Sequence, residues 1–241
     1  MKLKAMLLVS SIAMFSGALV WAEAPKKPWK NSTELSVVSS NGNTKSESTS
    51  GKNTFVYDWS KSSLELIGGG MGARNQGVTT AERYFASEKF SYKLSDRNYA
   101  FEKFGWDKDR FSGIRNRYDS GLGLGRELIK NDKATLIAEL GGGHIKEERL
   151  VGKDRSFATG RAYSKYTRVL SPTSNFSQDA EYIQNFEDPD DFRSKTESAV
   201  TAAINTAMSL KLSYIWKHTG QPPLGFVRND TITTVSLVAT Y

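Results

Sequence analysis

Thr231-Ile232-Thr233-Thr234-Val235-Ser236-Leu237-Val238-Ala239-Thr240-Tyr241 closes the chain, and from Val235 to the aromatic terminus every second side chain is apolar. Successive side chains of a β-strand point to opposite faces, so Val235, Leu237, Ala239 and Tyr241 share one face and Thr234, Ser236 and Thr240 the other. Such a strand suits hydrocarbon on one side and water on the other, as the last strand of an outer-membrane β-barrel requires. The same alternation fits a half-buried strand of a soluble sandwich, so the run needs support from the rest of the chain.

The opposite terminus supplies it. Lys2 and Lys4 precede an apolar stretch from Ala5 to Val20, and Val20-Trp21-Ala22 places small residues where a signal peptidase cuts. We read residues 1–22 as a cleaved signal peptide and residues 23–241 as one barrel domain. Ala22-Glu23-Ala24 is a second cleavage site, disfavoured because Pro25 would follow the cut. The apolar stretch is shorter than the ~20 residues of a spanning helix, and Ser10, Ser11, Ser16 and Gly17 dilute it. The chain has no Cys, which excludes a lipid anchor on cysteine and any disulfide, although an exported compartment would permit the latter.

The full chain carries a formal net charge of +7 and a mean hydropathy of −0.48. That average would indicate a soluble protein, but in a barrel the lipid-facing and lumen-facing residues cancel within any window. Basic residues are interleaved with acids and form no patch, so nucleic acid is not an expected partner. A positive surface facing anionic headgroups accounts for the charge equally well.

Turn formers divide the remainder. Ser60-Lys61-Ser62, Ser95-Asp96-Arg97, Asn131-Asp132, Ser171-Pro172-Thr173 and Asn205-Thr206 form one set. Between them fall Asn41-Gly42-Asn43, Asn75-Gln76-Gly77, Asp109 to Gly113, Gly152-Lys153-Asp154, Asp188-Pro189-Asp190-Asp191 and the segment from Gly220 to Arg228. Eleven connections join twelve strands, and an even number puts both termini on one side. That side is expected to be the periplasm, with the first set of turns there and the second outside. The segments between turns are longer than the ~5 or 6 residues of ordinary strands and suit tilted strands crossing a bilayer.

Several segments alternate plainly. Met208, Leu210, Leu212, Tyr214 and Trp216 oppose Ser209, Lys211, Ser213 and Lys217, and Phe192, Val200, Ala202 and Ile204 oppose Arg193, Lys195, Glu197 and Thr201. In the segment 81–94, Glu88 falls on the face of Phe90 and Tyr92, and in 157–170 neither face is cleanly apolar, so register there stays open; a bulge or an extramembrane extension would explain either. Aromatics near strand ends, namely Tyr57, Trp59, Tyr92, Tyr99, Phe101, Tyr166, Tyr214, Trp216 and Tyr241, read as interfacial girdles or as the ordinary aromatic content of strands.

No motif specifies chemistry. Gly121-Leu122-Gly123-Leu124-Gly125 lacks the following helix that a phosphate loop needs, and with Gly68-Gly69-Gly70, Gly72 and Gly141-Gly142-Gly143 it marks places where a strand bends or another group approaches closely. There are two histidines. His144 shares a strand face with Lys146 and Glu148, His218 borders a loop, and neither has the ligand set of a zinc site. No serine stands two residues from either histidine on its strand face, so no nucleophile is marked. The reading assigns no catalytic residue, metal or cofactor. Glu65, Glu102, Arg117, Asp119, Glu127, Glu139, Arg193, Lys195, Glu197, Lys211 and Lys217 are candidates for the inner face. Charges of both signs across a narrow lumen point to a plug of neutralising pairs, the alternative being a polar conduit.

Ser40-Asn41-Gly42-Asn43-Thr44, Asn116-Arg117-Tyr118-Asp119-Ser120-Gly121-Leu122-Gly123, and Pro222-Pro223 leading to Asn229-Asp230-Thr231 resemble stretches of the YdiY-like salt-induced outer-membrane proteins, a family of unknown biochemical activity. With the signal segment and the length, the likeness covers essentially the whole chain. It implies an outer-membrane barrel linked to osmotic stress and carries no catalytic residues over. The expectation is therefore an all-β, antiparallel transmembrane barrel of about 12 strands, with a structural or narrow-channel role. Its expected partners are outer-membrane lipid and the barrel-assembly machinery, which would engage the C-terminal strand ending at Tyr241; the expected state is a monomer. A barrel enzyme acting on lipid or peptide and a soluble periplasmic carrier are the competing classes. The carrier would strand Leu210, Leu212, Tyr214 and Trp216 in water.

Overall fold

The computed structural model describes residues 27–40 and 46–241. The signal segment and the turn Asn41-Gly42-Asn43 lie outside the described residues. Twelve strands follow one another: β1 (Trp29–Ser40), β2 (Ser46–Asp58), β3 (Ser62–Asn75), β4 (Val78–Lys93), β5 (Asn98–Asp109), β6 (Ile114–Lys130), β7 (Ala134–Arg149), β8 (Arg155–Ser171), β9 (Ser174–Asn185), β10 (Phe192–Ala203), β11 (Met208–Thr219) and β12 (Asn229–Thr240). Each pairs antiparallel with its sequence neighbours, and β1 pairs with β12, so the sheet closes into a barrel. Closure pairs the two outermost strands where they meet, so the barrel has no free strand. Among the described residues no helix is long and apolar enough to cross a membrane.

The turn residues act as their chemistry dictates. Gln76 and Gly77, both at positive φ (51° and 82°), make the two-residue link between β3 and β4, the backbone a tight hairpin needs. Between β5 and β6 a single 3-10 turn, Arg110–Ser112, begins at Asp109, whose carboxylate accepts from the Ser112 amide, and ends at Gly113 in the left-handed region. The β1–β12 seam is short: it runs from Asn31, whose amide donates to the Tyr241 carbonyl and whose carbonyl accepts from the Tyr241 amide, to Leu35 opposite Leu237.

Register sets the two faces of the wall. Leu35, Leu237 and Leu210 lie side by side across the seam, and Leu124 lies beside Leu140 on the opposite wall. All five are exposed on the outer surface. Inside, Phe101, Ile145, Phe157, Glu139 and Glu147 are buried. Large apolar side chains thus dominate the outer face and the buried charges lie inside, the arrangement a bilayer requires. On the outer face, Tyr182, Phe192, His218 and Trp216 stack in sequence near the end carrying the longer loops, and Trp29 stacks on Phe55 near the end where β1 begins and β12 finishes.

Two inward-facing glycines shape the lumen. A Cβ on Gly123 would fall 2.5 Å from the Phe101 ring, and one on Gly125 would overlap the Tyr99 ring, so these β6 positions are the floor on which two β5 rings lie. That packing corrects two expectations. Tyr99 and Phe101 do not belong to an outer girdle. With them turned inward, the period of two sends Glu102 outward, opposite Leu122, rather than into the lumen.

The two open segments resolve without interruption. β4 pairs continuously with β5, its only irregularity being a shift near Ala73 and Arg74 of β3, so Glu88 stands on the outer face with Phe90 and Tyr92. In β8 the outward residues include Ala158, Gly160, Ala162 and Ser164, while the bulky Phe157, Arg161, Tyr163 and Lys165 point inward; the only register shift comes at its end, between Val169 and Ser171. The alternation is inverted in size there, which is why hydropathy does not display it.

Candidate functional site

The lumen holds the concentrated chemistry. Nearest the longer loops, the buried Glu147 of β7 accepts hydrogen bonds from three guanidinium groups: Arg117 Nε (3.0 Å) and Nη2 (2.8 Å), Arg149 Nε (2.7 Å) and Arg193 Nη2 (2.9 Å). Arg83 Nε donates to Asp107 Oδ1 at 2.8 Å beside them. Deeper, Arg161 bridges two acids, its Nε donating to Glu181 (2.6 Å) and its Nη1 to Glu139 (2.9 Å). Glu139 also accepts from the Tyr99 hydroxyl (2.6 Å) and forms an ion pair with Lys89. Toward the seam, Lys211 lies 3.1 Å from both Glu34 and Glu197, and Lys52 lies 2.8 Å from Glu34.

Three pairs cross the interior between strands at least three positions apart around the wall, whereas Lys211 of β11 passes only β12 to meet Glu34 of β1. Lys103 of β5 reaches Glu181 of β9 at 3.2 Å, Arg193 of β10 reaches Glu147 of β7, and Lys89 of β4 reaches Glu139 of β7. Removing ions from water costs several kcal/mol each, so these contacts persist only with near-complete mutual satisfaction. The seam side is lined differently. Ser36, Ser213 and Ser236 are buried there, and Ser213 and Thr234 share a hydrogen bond of 2.6 Å.

Among these ion pairs, under the β11–β12 loop, lies a cavity of about 290 Å³, bordered by Arg83, Arg117, Arg193, Lys195 and Lys217, by Asp107, Glu147 and Glu181, and by Pro222, Pro223 and Val227 of that loop. That loop turns inward: Arg149 and Arg155 donate to the carbonyl and side-chain oxygens of Gln221 (3.3 and 3.5 Å), and Gly113 leaves the space that Phe226 and Pro223 occupy.

Of the sequence-derived inner residues, Glu65, Arg117, Asp119, Glu127, Glu139, Arg193, Lys195, Glu197, Lys211 and Lys217 face the lumen, and Glu102 does not. Sequence reasoning missed Lys89, Lys103, Asp107, Glu147, Arg161 and Glu181. The parity of Leu122 and Leu124, carried across the register to β5 and β7, would have found Lys103, Asp107 and Glu147.

His144 stands on the outer face, its Nε2 2.7 Å from Ser156 Oγ, and among the described residues nothing orients its other ring nitrogen. His218 contacts Asn229 at 2.8 Å. Among the described residues no cluster of three or more His, Cys, Asp or Glu could hold a metal.

A closed antiparallel barrel with an apolar exterior and a charged interior is a transmembrane β-barrel. Its fold is that of solved outer-membrane channels. The NanC porin matches with a TM-score of 0.55 at 10% identity over 88% of this chain and 99% of that one. The COG4313 outer membrane channel from Pseudomonas putida F1 matches with a TM-score of 0.54 at 10% identity over 91% and 97%. The model of the family described as "Protein of unknown function, DUF481" matches residues 33–241, and the chain belongs to that family. It is also 25% identical over 213 residues to the uncharacterized protein YdiY of Escherichia coli (strain K12), covering 88% of this chain and 83% of the other.

Proposed function

We propose that this is a bacterial outer-membrane barrel, monomeric, whose lumen is closed to bulk flow by its own ion pairs and offers small solutes at most a narrow path along the serine-lined seam. Lys103–Glu181, at 3.2 Å between β5 and β9, carries this reading, because it draws two long side chains across the interior. A barrel of this size lies between the eight-stranded kind that side chains fill and the ~16-stranded porins that stay open, so the lining decides. The chain is exported after removal of residues 1–22, both termini face the periplasm, and the strand ending at Tyr241 engages the assembly machinery. The family resemblance supports a role under salt or osmotic stress; the apolar outer face supports membrane residence over a soluble carrier.

Purified protein reconstituted in a planar lipid bilayer tests the closure. The expected record is small or absent conductance with little ion preference. Large, long-lived, selective openings would refute closure and restore an open porin. A mass measurement of the membrane-inserted form is expected to find Glu23 at the N-terminus; an intact Met1 would refute the signal peptide.

A further inference from the structure

Lys195 of β10 and Lys217 of β11 are direct cross-strand partners on the lumen face. Like charges so placed repel unless something neutralises them. Glu181, opposite Lys195 on β9, is taken by Lys103 and Arg161 and forms no ion pair with Lys195. Lys217 makes no ion pair or hydrogen bond among the described residues, and the nearest carboxylate to Lys195 is Glu197, 3.9 Å away. Asp230 is the partner of Lys217 on its other side, but the two do not form an ion pair. Beside them, Arg193 uses Nη2 for Glu147, while its Nε is buried without an acceptor. All three cations border the same cavity, beneath the β11–β12 loop.

Most of the acids around that cavity are otherwise engaged; the Asp230 carboxylate bonds nothing among the described residues. Glu147 is shared by three arginines, Asp107 takes Arg83, and Glu181 takes Lys103 and Arg161. Two opposed ammonium groups cost free energy that one negatively charged acceptor between them would recover. The volume of about 290 Å³ admits a molecule no larger than a monosaccharide acid.

We infer that this vestibule binds a small organic anion through its carboxylate, held between Lys195 and Lys217. Asp119 of β6 and Asp230 of β12, which border the cavity from opposite sides of the barrel, are placed to accept from hydroxyls, which favours a hydroxylated acid over a bare one. The site adjoins the cross-lumen pairs Arg193–Glu147 and Lys103–Glu181, and it is read by binding rather than by conductance.

Isothermal titration of the whole protein in detergent, at low ionic strength, with D-glucuronate and with the uncharged D-glucose, tests the site. Glucuronate is expected to bind one to one and glucose not at all. Lys217→Gln and Lys195→Gln are each expected to weaken glucuronate binding by about tenfold or more, whereas Lys133→Gln, in the β6–β7 turn, leaves it unchanged. Retention of the unheated-gel band shift by each variant establishes that the barrel is intact. Equal binding of glucose and glucuronate, equal affinity in Lys217→Gln and the parent protein, or no heat from glucuronate up to about 50 mM would each overturn the inference.

Discussion

Replacing Glu147 with Gln removes one negative charge from a side chain that is 0% exposed and keeps its volume. The consequence differs among its three partners. Arg117 retains a longer contact with Asp107 at 3.9 Å, and Arg149 retains its bond to the Gln221 carbonyl. Arg193 retains no other ion pair among the described residues and is left with its Nε and Nη2 both short of acceptors. Breaking a buried pair by removing one partner costs about 3–5 kcal/mol, and the second and third arginines place this case at the upper end. That corresponds to a loss of roughly two to four decades in the folding constant. Urea unfolding in lipid vesicles, followed by tryptophan fluorescence, reads the change, with Glu65→Gln as the comparison because that lumen acid makes no ion pair among the described residues. Adding Arg193→Gln to Glu147→Gln is expected to recover part of the loss, since it removes the charge left uncompensated. The reasoning fails if Glu147→Gln lies within about 1 kcal/mol of the parent protein, or if it costs no more than Glu65→Gln.

Leu237→Asp places a carboxylate on the outer face between Leu35 and Leu210; membrane-inserted protein is expected to fall sharply in a heat-modifiability gel, and unchanged levels would contradict the register. Gly123→Val drives a side chain into the Phe101 ring and is expected to cost at least about 1–3 kcal/mol in the same unfolding assay, with Leu122→Val, on the outer face, as its neutral counterpart. Glu88→Leu removes an outward carboxylate that has no partner among the described residues, and is expected to stabilise the barrel by about 1–2 kcal/mol; destabilisation would mean that the carboxylate is engaged in the membrane.

Strand number and every connection within the described residues were legible, because turn chemistry is local: Asn75-Gln76-Gly77 and Ser171-Pro172-Thr173 declare a reversal whatever surrounds them. Facing was legible wherever one side of a strand was cleanly apolar, as from Met208 to Trp216. It failed where large residues turn inward. Tyr99 and Phe101 look like lipid-facing aromatics until the glycines of the neighbouring strand are aligned with them, and that alignment is a property of two strands, which neither sequence segment contains alone. The lumen contacts were harder still. That Lys103 meets Glu181 depends on barrel diameter and stagger, and β5 and β9 are far apart in sequence.

The brevity of the β1–β12 seam has a kinetic consequence. Every other joint in the wall links consecutive segments and zips by local hairpin formation, whereas this one must bring together opposite ends of the chain. It is thus the last joint to form, and with few rungs to hold it, the first to breathe. An incompletely closed sheet presents β1 and β12 as two complementary edges that recognise each other equally well within one molecule or between two. Only the intramolecular match buries both, so the ratio of closed barrels to linked pairs reports how quickly a single chain finds its own end.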